Sequence, residues 1–157
     1  MGLTVREALQ MDCLARAQLV AGDRGLEREI TFVNIMEVPE VVRWMKGGEL
    51  LLTSGFALKG EDAAFRRELI RSLVRKEVAA LGVKLGQHWQ ELPPELVEAA
   101  DEVQLPLLLI PEDQPYMDIM LPIMEKLLNL QVTQLKRYES IHNRLLQVLL
   151  AGGDYRD

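Results

Sequence analysis

Three short apolar runs, Leu50 to Thr53, Val78 to Leu85 and Leu107 to Ile110, barely alternate between apolar and polar residues. Such runs suit strands buried on both faces, which requires helices above and below a mostly parallel sheet. The segments between them read as those helices. Glu61 to Lys76 carries Phe65, Leu69 and Leu73 at helical spacing, flanked by Ile70 and Val74. Its acids Glu61 and Asp62 fall in the first turn and Arg71, Arg75 and Lys76 near the end, as the helix dipole favours. Pro93 and Pro94 lead into a further helix from Glu95 to about Asp101. The order β-α-β-α-β with short connections implies right-handed crossovers between neighbouring parallel strands. The fold class is therefore α/β, a small three-layer domain with a parallel or mixed sheet and a βαβαβ core.

The chain before this core is more broken. Thr4 and Glu7 form a capping-box pattern that starts a short helix. A β-prone run from Ala17 to Ala21 stops at the turn Gly22-Asp23-Arg24-Gly25. Ile30 to Met36 is dense in β-branched and apolar residues and reads as one strand extending the sheet, in a direction the sequence leaves open. Pro39 opens a helical turn or two through Trp44 and Met45 that stops at Gly47-Gly48.

Beyond Tyr116 the pattern changes. Leu121, Met124, Leu128, Gln131, Leu135, Tyr138, His142, Leu145 and Leu149 alternate three and four apart, a heptad-like seam. No Pro or Gly interrupts residues 123–151, so one long helix of about 42 Å is expected, ending at Gly152-Gly153. The expected organisation is an α/β regulatory domain over 1–120, a connecting and dimerisation helix over 121–151, and a terminal segment over 152–157. Leu128, Leu135, Tyr138, Leu145 and Leu149 are the expected dimer contacts.

Charge and motif content narrow the function. The 157 residues carry a formal net charge of −6, which argues against nucleic acid as the main partner of this chain. No apolar run approaches the ~18 residues of a membrane span, and the N-terminus lacks a signal-peptide pattern. The single cysteine, Cys13, excludes an internal disulfide and fits a reducing cytoplasm. No phosphate loop, dinucleotide fingerprint or nucleophile elbow occurs, and no ligand set for a structural zinc is formed. Neither a catalytic centre, a cofactor nor a metal is expected.

What remains chemically is the edge where parallel strands end. Ligands of open α/β sheets bind beyond the carboxyl ends of the strands. Thr53-Ser54-Gly55 ends one strand and Lys84 to Trp89 the next, so Thr53, Ser54, Gly55, Lys84, Gln87 and Trp89 form the candidate ligand site. Backbone N–H groups around Ser54 and Gly55, the Lys84 ammonium and the Trp89 ring would suit a planar, hydrogen-bonding molecule. The nearby acids Glu112 and Asp113 disfavour a simple phosphate, which leaves a neutral or zwitterionic heterocycle or ureide. Two other readings stay open here. One is a transferase or hydrolase using Ser54, Lys84 and His88, and the other is an interaction module with no ligand.

The succession L-T-V-R-E-A-L, V-A-G-D-R-G-L-E-R-E-I, V-N-I-M-E-V-P-E, W-M-K-G-G-E-L-L-L-T-S-G, A-L-G-V-K-L-G and L-P-L-L-L-I-P resembles the N-terminal domain of PucR-type purine-catabolism regulators. The likeness covers about residues 3–125 and lies in the order of the pieces. Glu37, Gly47, Gly48, Glu49, Thr53 and Gly55 fall on its recurring motif positions. The resemblance implies a non-catalytic, effector-sensing and dimerising module of a bacterial transcriptional regulator. DNA would be contacted only through a C-terminal helix-turn-helix domain absent from this chain.

Overall fold

In the computed structural model, residues 2–54, 62–86 and 91–156 are described. The chain runs β1 (Leu3–Thr4), α1 (Val5–Leu9), β2 (Gln18–Ala21), β3 (Glu29–Ile30), β4 (Phe32–Met36) and β5 (Glu49–Ser54). Then follow α2 (Ala63–Arg75), β6 (Ala80–Lys84), α3 (Pro94–Val103), β7 (Leu107–Ile110) and α4 (Tyr116–Arg156). The main sheet has five strands in the order β2-β7-β6-β5-β4, with β4 to β7 parallel and β2 antiparallel along β7. It is the mixed α/β sheet that the three apolar runs require.

Alternation along the strands builds two cores. Leu51, Leu81, Val83 and Leu107 face Leu69, Ile70 and Leu73 of α2 and Leu96, Ala99 and Ala100 of α3. Leu50, Leu52, Leu108 and Ile110 face Ile119, Ile123 and Leu127 of α4, together with Val5 and Ala8 of α1. Apolar side chains on both faces are why these strands do not alternate in sequence. Between α2 and α3, the Arg66 guanidinium is ion-paired with Glu95, both side chains being largely covered at 16% and 15% exposure. The pairing holds the Glu95 carboxyl below the usual carboxylate range.

Three local expectations change. Ile30 to Met36 is two strands, because β3 pairs antiparallel with β1 while β4 runs parallel to β5. Thr31 is the pivot, and its N–H donates to the Gly48 carbonyl at 2.7 Å. Asp62 lies outside the first turn of α2; it is the N-cap, and its carboxylate accepts the Phe65 N–H at 2.8 Å. Glu61 lies outside the described residues. Finally, α4 begins at Tyr116 rather than near 121, with Pro122 inside it, and continues through Gly152-Gly153 to Arg156. Pro122 falls within the stretch that packs on the sheet, where tertiary contacts outweigh its missing N–H. The capping box at Thr4 and Glu7 forms as its spacing indicates.

Candidate functional site

The parallel register sets the geometry at the carboxyl edge. Ser54 pairs with Lys84 across β5 and β6, and alternation turns both toward the face covered by α4. The Ser54 hydroxyl donates to a carboxylate oxygen of Glu37, just beyond β4, at 3.3 Å. Lys84 Nζ stands 4.2 Å from the ring centroid of Tyr116, a cation–π contact with the first residue of α4. Strands β4, β5 and β6 thus each deliver one polar side chain to the start of the long helix.

Tyr116 itself was not singled out by the sequence. Only the topology reveals it, because α4 starts where the connection after β7 returns to the carboxyl edge. Its hydroxyl oxygen is buried and, among the described residues, meets no partner at full hydrogen-bonding geometry. Burial pushes the phenol above its usual pKa and the Glu37 charge adds to the rise, while the Ser54 hydroxyl works against it. The ring therefore stays neutral at physiological pH, with a proton available to donate. A second buried atom without a partner among the described residues, Gln114 Oε1, lies two residues earlier, the Gln114 amide donating to the Cys13 carbonyl at 2.6 Å.

The acids at this edge are partly neutralised. Arg16 bonds Asp113 at 2.8 Å and holds its carboxyl below the usual range, and the Lys84 charge acts in the same direction. Glu112 packs against Gly86 at the end of β6. A cavity of about 220 Å³ opens nearby between Arg16, Gln18, Leu85, Pro111 and Glu112. A larger cavity, about 760 Å³, lies instead on the flank of the domain, between residues 40–43 and α2.

The remaining predicted residues sort by geometry. Thr53 is fully buried, and its hydroxyl donates to the Met36 carbonyl at 2.6 Å, tying β5 to the end of β4. Its side chain offers no surface at the edge. Glu49 is also buried, and its carboxylate accepts the N–H groups of Lys46 at 2.9 Å and Gly47 at 2.6 Å. Gly47 and Gly48 take φ values of 107° and 82°, and a Cβ on Gly48 would fall 2.2 Å from Thr31 Oγ1. The Gly-Gly-Glu motif thus shapes the loop entering β5. Gly55, Gln87, His88 and Trp89 lie outside the described residues. On α4, Leu128, Leu135, Tyr138, Leu145 and Leu149 are all exposed, and the Tyr138 and His142 rings stack 6.4 Å apart. Among the described residues no helix is long and apolar enough to cross a membrane. Nor does any group of three or more His, Cys, Asp or Glu there form a metal-ligand cluster.

Comparison with known proteins bears on this arrangement. The model of the purine catabolism regulatory protein-like family matches residues 7–127. The purine catabolism regulatory protein of Bacillus subtilis (strain 168) is 27% identical over 150 residues, 96% of this chain and 28% of its own length. The transcriptional activator PmfR of Paenarthrobacter nicotinovorans is 33% identical over 117 residues, 73% of this chain and 24% of its own length. The chain spans about a quarter of the length of these curated relatives. With the match running from within α1 to the last buried residue of α4, Leu127, the chain belongs to the purine catabolism regulatory protein-like family.

Proposed function

We propose that this chain is the effector-sensing and dimerising module of a cytoplasmic bacterial transcriptional regulator, without catalysis of its own. The relatives named as regulators support the regulatory part. The observation that carries the sensing part is the convergence of Glu37, Ser54 and Lys84 on Tyr116, the first residue of the helix that carries the exposed seam. A ligand that competes for Lys84 or for the Tyr116 ring acts directly on the start of α4. Ser54, Lys84 and Tyr116, with Gly55, Gln87 and Trp89, make up the proposed site. One ammonium set beside carboxylates favours a neutral or zwitterionic ligand rich in amide-like groups over a simple anion. The Bacillus subtilis relative's name makes purine breakdown products the first compounds to try. DNA is contacted through a region outside this chain.

Thermal-shift and calorimetric titration of the chain with urate, allantoin and allantoate test the reading. The expected result is saturable stabilisation by one of them that is lost in Lys84→Met. Equal stabilisation of parent and variant would remove Lys84 from the site, and no binding by any of the three would discard the purine-derived ligand.

A further inference from the structure

On the side of the sheet opposite α4, the short 3-10 helix Pro39–Trp44 runs beside α2. The cavity of about 760 Å³ lies between them. Small-molecule sites typically enclose about 300–1,000 Å³ and combine apolar walls with a few fixed polar groups. The apolar wall here is Leu69, which is buried, with Val42 and Phe65, which pack partly buried against the core beneath α2 and α3. Because these side chains are anchored in that core, the wall is formed before any ligand arrives. The Phe65 ring adds an aromatic surface on which a flat molecule can lie.

Charged side chains complete the lining. Glu68 is taken by Arg75, which holds its carboxyl below the usual carboxylate range. Arg43 and Lys76 also line the cavity, and among the described residues neither side chain has an ion-pair or hydrogen-bond partner. Glu40 is the other acid, so three cations face two carboxylates, a local positive surplus in a chain of net charge −6. We infer that this cavity binds an organic monocarboxylate with a flat apolar body. The body lies against Phe65, Val42 and Leu69, and the carboxylate accepts charge-assisted hydrogen bonds from Arg43 and Lys76. Glu40 limits the charge to one, because a second anionic group would meet its carboxylate with no cation left to neutralise it. Lys84 and Tyr116 belong to the opposite side of the sheet, so this site is separate from the carboxyl-edge site and stands independently of it.

Titration calorimetry of the whole chain with naphthoate tests the inference, with naphthamide as the uncharged probe of the same shape. The expected result is one saturable site for the acid. Binding should weaken about tenfold or more for the amide, and equally for the acid with the double variant Arg43→Gln, Lys76→Gln. Both substituted side chains are exposed, so the variant's thermal unfolding midpoint should match the parent's. Ser72→Phe fills the cavity from α2 and is expected to abolish binding. Backbone amide NMR shifts at saturation should centre on Val42, Phe65 and Ser72. Equal affinity for acid and amide, parental affinity in either variant, or no saturable binding at millimolar naphthoate overturns the inference. Shifts centred on the exposed residues of α4 overturn it too, and shifts centred on Ser54 and Tyr116 overturn it while leaving the carboxyl-edge site standing.

Discussion

Replacing Leu135 by lysine isolates the seam from the core that α4 also serves. Leu135 is 58% exposed in the single chain, whereas the α4 residues that hold the sheet, Ile119, Ile123 and Leu127, are buried. Full burial of a leucine side chain contributes about 1.5–3 kcal/mol, so covering the exposed 58% contributes roughly 0.9–1.7 kcal/mol per protomer. A symmetric pair loses this twice, about 2–3.5 kcal/mol, or about a 30- to 300-fold weaker dimer. That range is a floor, because two ammonium groups meeting across the seam repel and lose hydration. Sedimentation equilibrium reads the dissociation constant directly, and chemical denaturation at monomeric concentration reads the fold. The expected outcome is weaker association with an unchanged unfolding midpoint. Association that persists with parental strength would refute the seam as the interface. A fall in the monomer's own stability would refute the separation of seam from core.

Three further outcomes follow from individual contacts. Glu49→Ala leaves the partly buried N–H groups of the Lys46-Gly47 turn without their carboxylate acceptor and should cost about 1–3 kcal/mol in urea denaturation, whereas Glu49→Gln should recover part of it. Thr53→Val keeps the shape but orphans the Met36 carbonyl, for an expected loss of about 1–2 kcal/mol whether or not a ligand is present. The Glu95 carboxyl is depressed by Arg66, so its contribution is full above the pKa of an unfolded glutamate and is lost as pH falls through its lower folded value. Stability measured from neutral to acid pH should therefore fall less steeply below the ordinary glutamate range in Arg66→Gln than in the parent.

Which parts of this architecture can be read from sequence follows from the range over which each is determined. Leu50 to Thr53, Leu107 to Ile110 and the stripe of Phe65, Leu69 and Leu73 are local patterns with one physical solution, and all became the expected elements. The break at Thr31 is not local. It depends on β1 capturing Ile30 and on Gly48 receiving the Thr31 N–H, partners 27 and 17 residues away. The start of α4 escaped for a related reason. Pro122 normally ends a helical pattern, and only burial of Ile119 and Ile123 against the sheet carries the helix across it. At the site, position along a strand is enough to bring Ser54 beside Lys84. It does not tell that the Thr53 hydroxyl is taken by Met36 or that Tyr116 lies under the Lys84 ammonium, because both partners arrive from other elements.

The proposed coupling depends on α4 being one element with two kinds of environment. Its first three turns are packed into the sheet through Ile119, Ile123 and Leu127. Interiors of this density shift as units, and a displacement there is passed on instead of being absorbed. From Leu128 to Leu150 the helix projects about 35 Å past its last buried residue, so a tilt of about 5° at its base moves the far end by about 3 Å. Tyr116 sits at the lever's short end, where Lys84 holds it. Pro122, between that contact and the seam, deprives the Asp118 carbonyl of its helical partner and softens the ladder where a tilt would have to begin. Pro122→Ala restores the bond, and in the proposed mechanism it should leave ligand affinity intact while weakening the ligand's effect on association. Titrating ligand into parent and variant and following association by sedimentation distinguishes the two. An identical ligand response in both would place the hinge elsewhere.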